Sequence, residues 1–152
     1  MRAVIQRVTE ASVSWEDEQR RIGAGYCILL GVAQSDQERD AEYLADKILK
    51  LRVFSDAAGK FNLSALDVKA DFLVISQFTL FADARGQNRP SFLQAARPEL
   101  GRPMLDRFLD RLRASGLQVE TGSFGAQMLV RIHNDGPVTI VVSTDAWEPR
   151  IG

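Results

Sequence analysis

Met128-Leu129-Val130-Arg131-Ile132-His133-Asn134-Asp135-Gly136-Pro137-Val138-Thr139-Ile140-Val141-Val142-Ser143 is the stretch on which the reading turns. Two strand-like runs, Met128 to His133 and Val138 to Ser143, flank Asn134-Asp135-Gly136-Pro137. Asn, Asp and Gly tolerate positive φ or bond their own backbone, which suits a tight hairpin turn. Pro137 fixes φ and removes a donor where the second strand starts. An X-Pro bond is also where a cis peptide is accessible. Taken alone the hexapeptide Asn134 to Thr139 predicts an ordinary hairpin turn. Its small side chains also allow its carbonyls to approach a ligand closely.

Working outward, Phe72-Leu73-Val74-Ile75-Ser76-Gln77-Phe78-Thr79-Leu80-Phe81 is the strongest strand signal. It starts apolar and then carries Ser76, Gln77 and Thr79 within four positions. Polar groups inside a central strand require partners. Ala3 to Thr9 alternates and predicts a strand, and Ala11 to Trp15 a second one. Tyr26 to Val32 is almost continuously apolar and predicts a strand buried on both faces. Gly23-Ala24-Gly25 before it is not a dinucleotide fingerprint, because position 28 is Ile and no helix follows.

Two helices are predicted. Ser35 with Glu38 forms a capping-box pattern, and Ala41, Leu44, Ala45, Ile48 and Leu51 follow at helical spacing. Leu100, Met104, Leu105, Phe108, Leu109 and Leu112 form the stripe of a second helix over 98–115, with Gly116 past its end. Between Ala84 and Gly116, seven arginines against three acids give +4. That run reads as a solvated helix face or as a weak phosphate contact. Phe61 to Asp67 has no clear pattern, and neither has the tail 145–152, which holds Trp147 and Pro149. Strands separated by two long helices predict a single α/β domain over 1–152 with a mixed, barrel-like sheet.

The chain has 152 residues, 45% hydrophobic and 26% charged, with net charge −1. These values fit an ordinary globular domain and mark no wholesale nucleic-acid or membrane binder. One cysteine, Cys27, excludes an internal disulfide, and one histidine, His133, leaves no Cys/His metal spacing. No metal and no cofactor is expected. No apolar run reaches the ~18 residues of a membrane span. The N-terminus does not read as a signal peptide, so a cytoplasmic location is expected.

The search for chemistry leaves little. A Ser/His/acid esterase would use His133 with Ser76 or Thr79, yet no Gly-x-Ser-x-Gly elbow surrounds Ser76. A non-catalytic RNA-binding or dimerisation module is a third reading. What stands out is a strand studded with polar residues and a Gly-Pro turn. That combination resembles the D-aminoacyl-tRNA deacylase family, also called D-tyrosyl-tRNA deacylases. The residues that carry the resemblance are Ser76-Gln77-Phe78-Thr79-Leu80 and Asn134-Asp135-Gly136-Pro137-Val138-Thr139. Ala3 to Val8, Leu29 to Val32, Asp46 to Leu49 and Arg89 to Phe92 support it. The resemblance covers residues 1–144. Ser123 and His133 depart from the family's pattern, and the tail lies outside it.

The resemblance implies a homodimer with its active site at the subunit interface. It implies hydrolysis of the ester between a D-amino acid and the terminal adenosine of tRNA; glycine, with no side chain to exclude, is an expected leak. It implies a cis Gly136-Pro137 bond whose carbonyls enter the partner's pocket opposite Ser76, Gln77, Phe78 and Thr79. Arg7 is expected to fix that dipeptide, with Asn134, Val138 and Thr139 around it. Arg85 and Arg89 are expected phosphate contacts.

Overall fold

Arg2–Trp15 form one continuous strand, β1, where the sequence reading placed two. The structure is a computed structural model and describes residues 1–147. β1 stays unbroken because its neighbour changes midway. Residues Arg2 to Val8 pair antiparallel with β3 (Gly25–Gly31). Residues Ala11 to Trp15 pair with β2 (Glu18–Ile22). The turn between β1 and β2 is only Glu16-Asp17, and the charges that follow, Glu18, Arg20 and Arg21, lie on β2.

β6 (Asp71–Ser76) runs parallel to β3, and β7 (Val119–Thr121) runs parallel to β6. β8 (Leu129–Ser143) pairs antiparallel along nearly all of β1. Among the described residues these six strands form one mixed sheet, curled into a nearly closed barrel. Phe54–Ser55 (β4) and Phe61–Leu63 (β5) form a separate small sheet. The ambiguous stretch after Phe61 thus holds β5 and a single helical turn, α2 (Ala65–Val68), capped by Ser64.

The alternation of the two central strands fills two cores. Tyr26, Ile28 and Leu30 of β3 and Phe72 and Val74 of β6 point to one face. There α1 (Glu38–Lys50) and α3 (Pro98–Arg113) cover them with Leu44, Ile48, Leu105, Phe108 and Leu112. Cys27, Leu73 and Ile75 point to the other face, inside the curl, against Val8, Val13, Met128, Val130 and Ile132. This double burial is why β3 reads as an unbroken apolar run.

α1 starts two residues later than the Ser35 capping pattern predicted. Gln37 is the cap, and its N–H donates to Asp40 Oδ2 at 2.8 Å. Asp36 is otherwise engaged: Ala33 N–H donates to its Oδ2 at 2.6 Å.

Two corrections shape the site. First, Asn134 to Val138 is not a hairpin turn. β8 continues straight through it, because both flanks pair with the same partner strand. The register passes from Gln6 opposite Thr139 to Val8 opposite Asn134. The residues between bulge outward from the ladder opposite Arg7. Second, the strand of Phe72 to Phe81 stops at Ser76. Gln77 (φ −143°, ψ 83°) breaks it, and Phe78–Phe81 form a 3₁₀ turn. Gly31 permits this, since a Cβ there would lie 3.0 Å from both the Gln77 carbonyl and the Phe81 ring. Ser76, Gln77 and Thr79 are therefore the end of a strand and the turn beyond it, not the middle of a central strand.

In the tail, Asp145 pairs with Arg2 at 3.1 Å and the Trp147 ring lies 4.8 Å from the Arg2 guanidinium. Pro149 lies outside the described residues. None of the helices among them is long and apolar enough to cross a membrane.

Candidate active site

A parallel strand ends with backbone groups and side chains turned toward the space beyond the sheet, which is where α/β folds place ligands. β6 ends this way. Ser76 sits opposite Leu30, and Gln77 N–H donates to the Leu30 carbonyl at 2.8 Å, which locks the exit of the strand. Beyond it lies a cleft of about 590 Å³. Ser76, Gln77 and Phe78 form one side, Ala95 to Pro98 a second, and Phe124 to Ala126 with Met128 and Val130 a third. Phe78 is 56% exposed and meets Phe92 edge-to-face at 5.1 Å. Thr79 does not line the cleft; its hydroxyl is paired with the Gln77 side-chain amide.

The second motif forms a separate, held projection. Asp135, Gly136 and Pro137 are exposed, and the Gly136-Pro137 peptide is cis. Two side chains hold the bulge at its base. Asn134 Oδ1 accepts from Val138 N–H at 2.8 Å, and Asn134 Nδ2 donates to Thr139 Oγ1 at 3.0 Å. Arg7, 11% exposed, donates from Nε to the Asp135 carbonyl at 3.0 Å and from Nη1 to the Val53 carbonyl at 2.8 Å. Its guanidinium lies 5.5 Å from the Phe61 ring. Gly136 has φ +143°, and a Cβ there would lie 2.7 Å from Val138 Cγ2.

The two motifs do not meet within one chain, since none of Asn134 to Thr139 lines the cleft. Val130, on the cleft wall, is six residues from Gly136 along β8, about 20 Å at the rise of an extended strand.

The remaining candidates fall outside. His133 is 57% exposed, stands opposite Glu10 in the ladder, and has Nδ1 3.4 Å from a Glu10 carboxylate oxygen. It does not line the cleft. Arg85 is engaged by Asp83 (Nε to Oδ1 2.9 Å), and that arginine holds the Asp83 carboxyl down at about 2. The strongly raised proton affinities belong to the core: burial pushes the Tyr26 hydroxyl and the Cys27 thiol up. No group of three or more His, Cys, Asp or Glu among the described residues is placed to hold a metal.

Sequence reasoning missed the loops that complete the cleft, Ala95 to Arg97 and Gly125 to Ala126, and missed the Val53 carbonyl as a partner of Arg7.

The sequence model described as D-Tyr-tRNA(Tyr) deacylase matches residues 4–143. The chain belongs to this deacylase family. A D-aminoacyl-tRNA deacylase of Chloroflexus aurantiacus is 57% identical over 152 residues, covering 99% of this chain and 94% of that protein. A solved structure of "c-Myc DNA Unwinding Element Binding Protein" is 43% identical, covers 96% of this chain and 100% of its own, and superposes with a TM-score of 0.89. A probable eukaryotic D-amino acid tRNA deacylase shares the fold at 16% identity with a TM-score of 0.84, over 93% of this chain and 97% of its own. The match to the deacylase family spans both the cleft-lining segment and the Asn134 to Thr139 projection.

Proposed function

We propose that the protein hydrolyses the ester joining a D-amino acid to the 3′-terminal adenosine of tRNA, as a cytoplasmic homodimer. Each site combines the cleft of one protomer with the Gly136-Pro137 projection of the other. The observation that carries this is the separation of the two motifs: Ser76 to Phe78 line the cleft, while the projection is held by Arg7 and Asn134 and contributes no residue to its own chain's cleft.

The chemistry follows from what the residues are. Backbone carbonyls are rigid acceptors with no side-chain freedom. Set beside the substrate's α-carbon, they accept its ammonium group and leave no room for an L side chain. Steric and polar mismatch discriminates more sharply than an attractive pocket does. Glycine presents no side chain to exclude, so glycyl-tRNA is also cleaved.

The ester is intrinsically reactive, and the neighbouring ribose hydroxyl assists. Ser76 and Gln77 position it, with the Thr79 hydroxyl holding the Gln77 side-chain amide, and Phe78 packs against the terminal adenine. The first N–H groups of a 3₁₀ turn have no acceptor inside it, which suits those of Phe78 and Thr79 to an oxyanion. The Thr79 hydroxyl positions rather than attacks.

The test is one deacylation assay with D- and L-tyrosyl-tRNA in parallel. Rapid cleavage of the D ester alone is expected; equal rates would sink the stereoselective reading.

A further inference from the structure

The sequence places its positive charge on the segment 84–116, but the fold neutralises much of it. Arg107 pairs with Glu42 at 2.5 Å, Arg111 with Asp46 at 2.7 Å and Arg113 with Asp110 at 3.7 Å. Arg85 is held by Asp83. Glu42 and Asp46 of α1 are thus neutralised by arginines of α3. On α1, Tyr43, Lys47 and Lys50 follow at i, i+4 and i+7, all exposed, with Tyr43 at 64%. Among the described residues neither lysine has an ion-pair partner. With Asp46, Leu51 and Arg52 they line a shallow groove of about 420 Å³. Arg52 leans on the Asn62 carbonyl at 2.8 Å and keeps its charge at the surface. The groove's own acid, Asp46, is neutralised by the Arg111 guanidinium, and Asp67 is committed to the cap of α2.

This groove ends beside the projection. Arg52 precedes Val53, whose carbonyl shares the Arg7 guanidinium with Asp135. If the terminal adenosine lies between that projection and the partner's cleft, the body of the tRNA must leave along a surface next to the projection. The inference rests on the deacylase reading in that respect. A basic stripe with an exposed aromatic suits a polyphosphate backbone and contributes no base selectivity.

We infer that Lys47, Lys50 and Arg52, with Tyr43, form the contact for the acceptor-stem phosphates of the tRNA, supplied by the same protomer that supplies the Gly136-Pro137 projection.

The experiment measures binding of uncharged tRNA by the full chain across a salt series, for wild type, K47Q/K50Q and K47R/K50R. Each phosphate contact contributes about 0.9 to the slope of log K against log salt, by the duplex value. K47Q/K50Q is expected to weaken binding about tenfold and to flatten that slope by about 1.8. K47R/K50R is expected to keep both. Hydrolysis of D-tyrosyl-adenosine, which has no stem, is expected to stay within about twofold in both variants. An unchanged slope in K47Q/K50Q overturns the inference, as does an equal loss in K47R/K50R or a parallel loss on the stemless ester. A wild-type protein that shows the lysine-dependent slope but cleaves D and L esters alike would uphold the stripe and refute the stereoselective reading.

Discussion

Arg7 donates to the backbone carbonyl of Asp135 at 3.0 Å, and its other arm donates to Val53 at 2.8 Å. One nearly buried guanidinium therefore anchors the projecting bulge of β8 to the chain leaving α1. Replacing it by alanine leaves two carbonyls without their donor and lets the bulge drift. Displacement on the scale of 1 Å costs about 100-fold in reactions that depend on positioning. Arg7→Ala is expected to lower kcat/KM for D-tyrosyl-tRNA by about that factor. Arg7→Lys is expected to recover only part, because an ammonium cannot reproduce the fork. Single-turnover rates measure this, and a value for Arg7→Ala within about threefold of wild type would remove the anchoring role.

Gly136 occupies φ +143°, and an added Cβ would press on Val138 Cγ2 at 2.7 Å. Gly136→Ala must therefore move the bulge, at a strain of about 1–3 kcal/mol. Discrimination between D- and L-tyrosyl-tRNA is expected to fall at least about tenfold, through slower D cleavage and measurable L cleavage. A D/L ratio equal to wild type would show that the projection does not select.

His133 lies beside Glu10, away from the cleft. His133→Ala is expected to leave deacylation within about twofold. General-base catalysis contributes about 100-fold or more, so a loss of that size would reinstate an esterase built on His133.

Cys27 is fully buried in the curl of the sheet, and burial pushes its thiol from 9.0 up to about 12. Above about pH 9 the unfolded chain releases this proton while the native chain keeps it, so stability falls as pH rises toward the native value. Between about pH 9 and about pH 10 the wild type is expected to lose about 1 kcal/mol more than Cys27→Ala in urea unfolding. Parallel slopes for the two proteins would mean that the native thiol ionises freely.

Periodicity made β3, α1, α3 and the sheet-plus-helix class legible, because long segments with one buried face write their pattern into the chain. Two local signals misled. Asn134-Asp135-Gly136 has turn chemistry, yet pairing of both flanks with β1 carries the strand through as a bulge. Gln77 looks like a strand residue, yet the close approach at Gly31 allows the chain to turn there. Both motif segments were legible by resemblance. The Val53 carbonyl was not, since a backbone oxygen is anonymous in sequence. Ala95 to Arg97 join the cleft through loop path alone, which no periodicity encodes.

β8 lines a cleft with Val130 and presents the projection with Asp135 to Pro137. In the two-fold dimer proposed above, every strand of this kind would serve both sites at once, in different capacities. Two separately crippled chains then complement. Mixed in equal amounts, a Ser76/Gln77-altered protomer and a Gly136-altered protomer form heterodimers in which one site collects both lesions and the other inherits neither. Activity returning in the mixture, absent from either parent, is the arithmetic signature of a shared site.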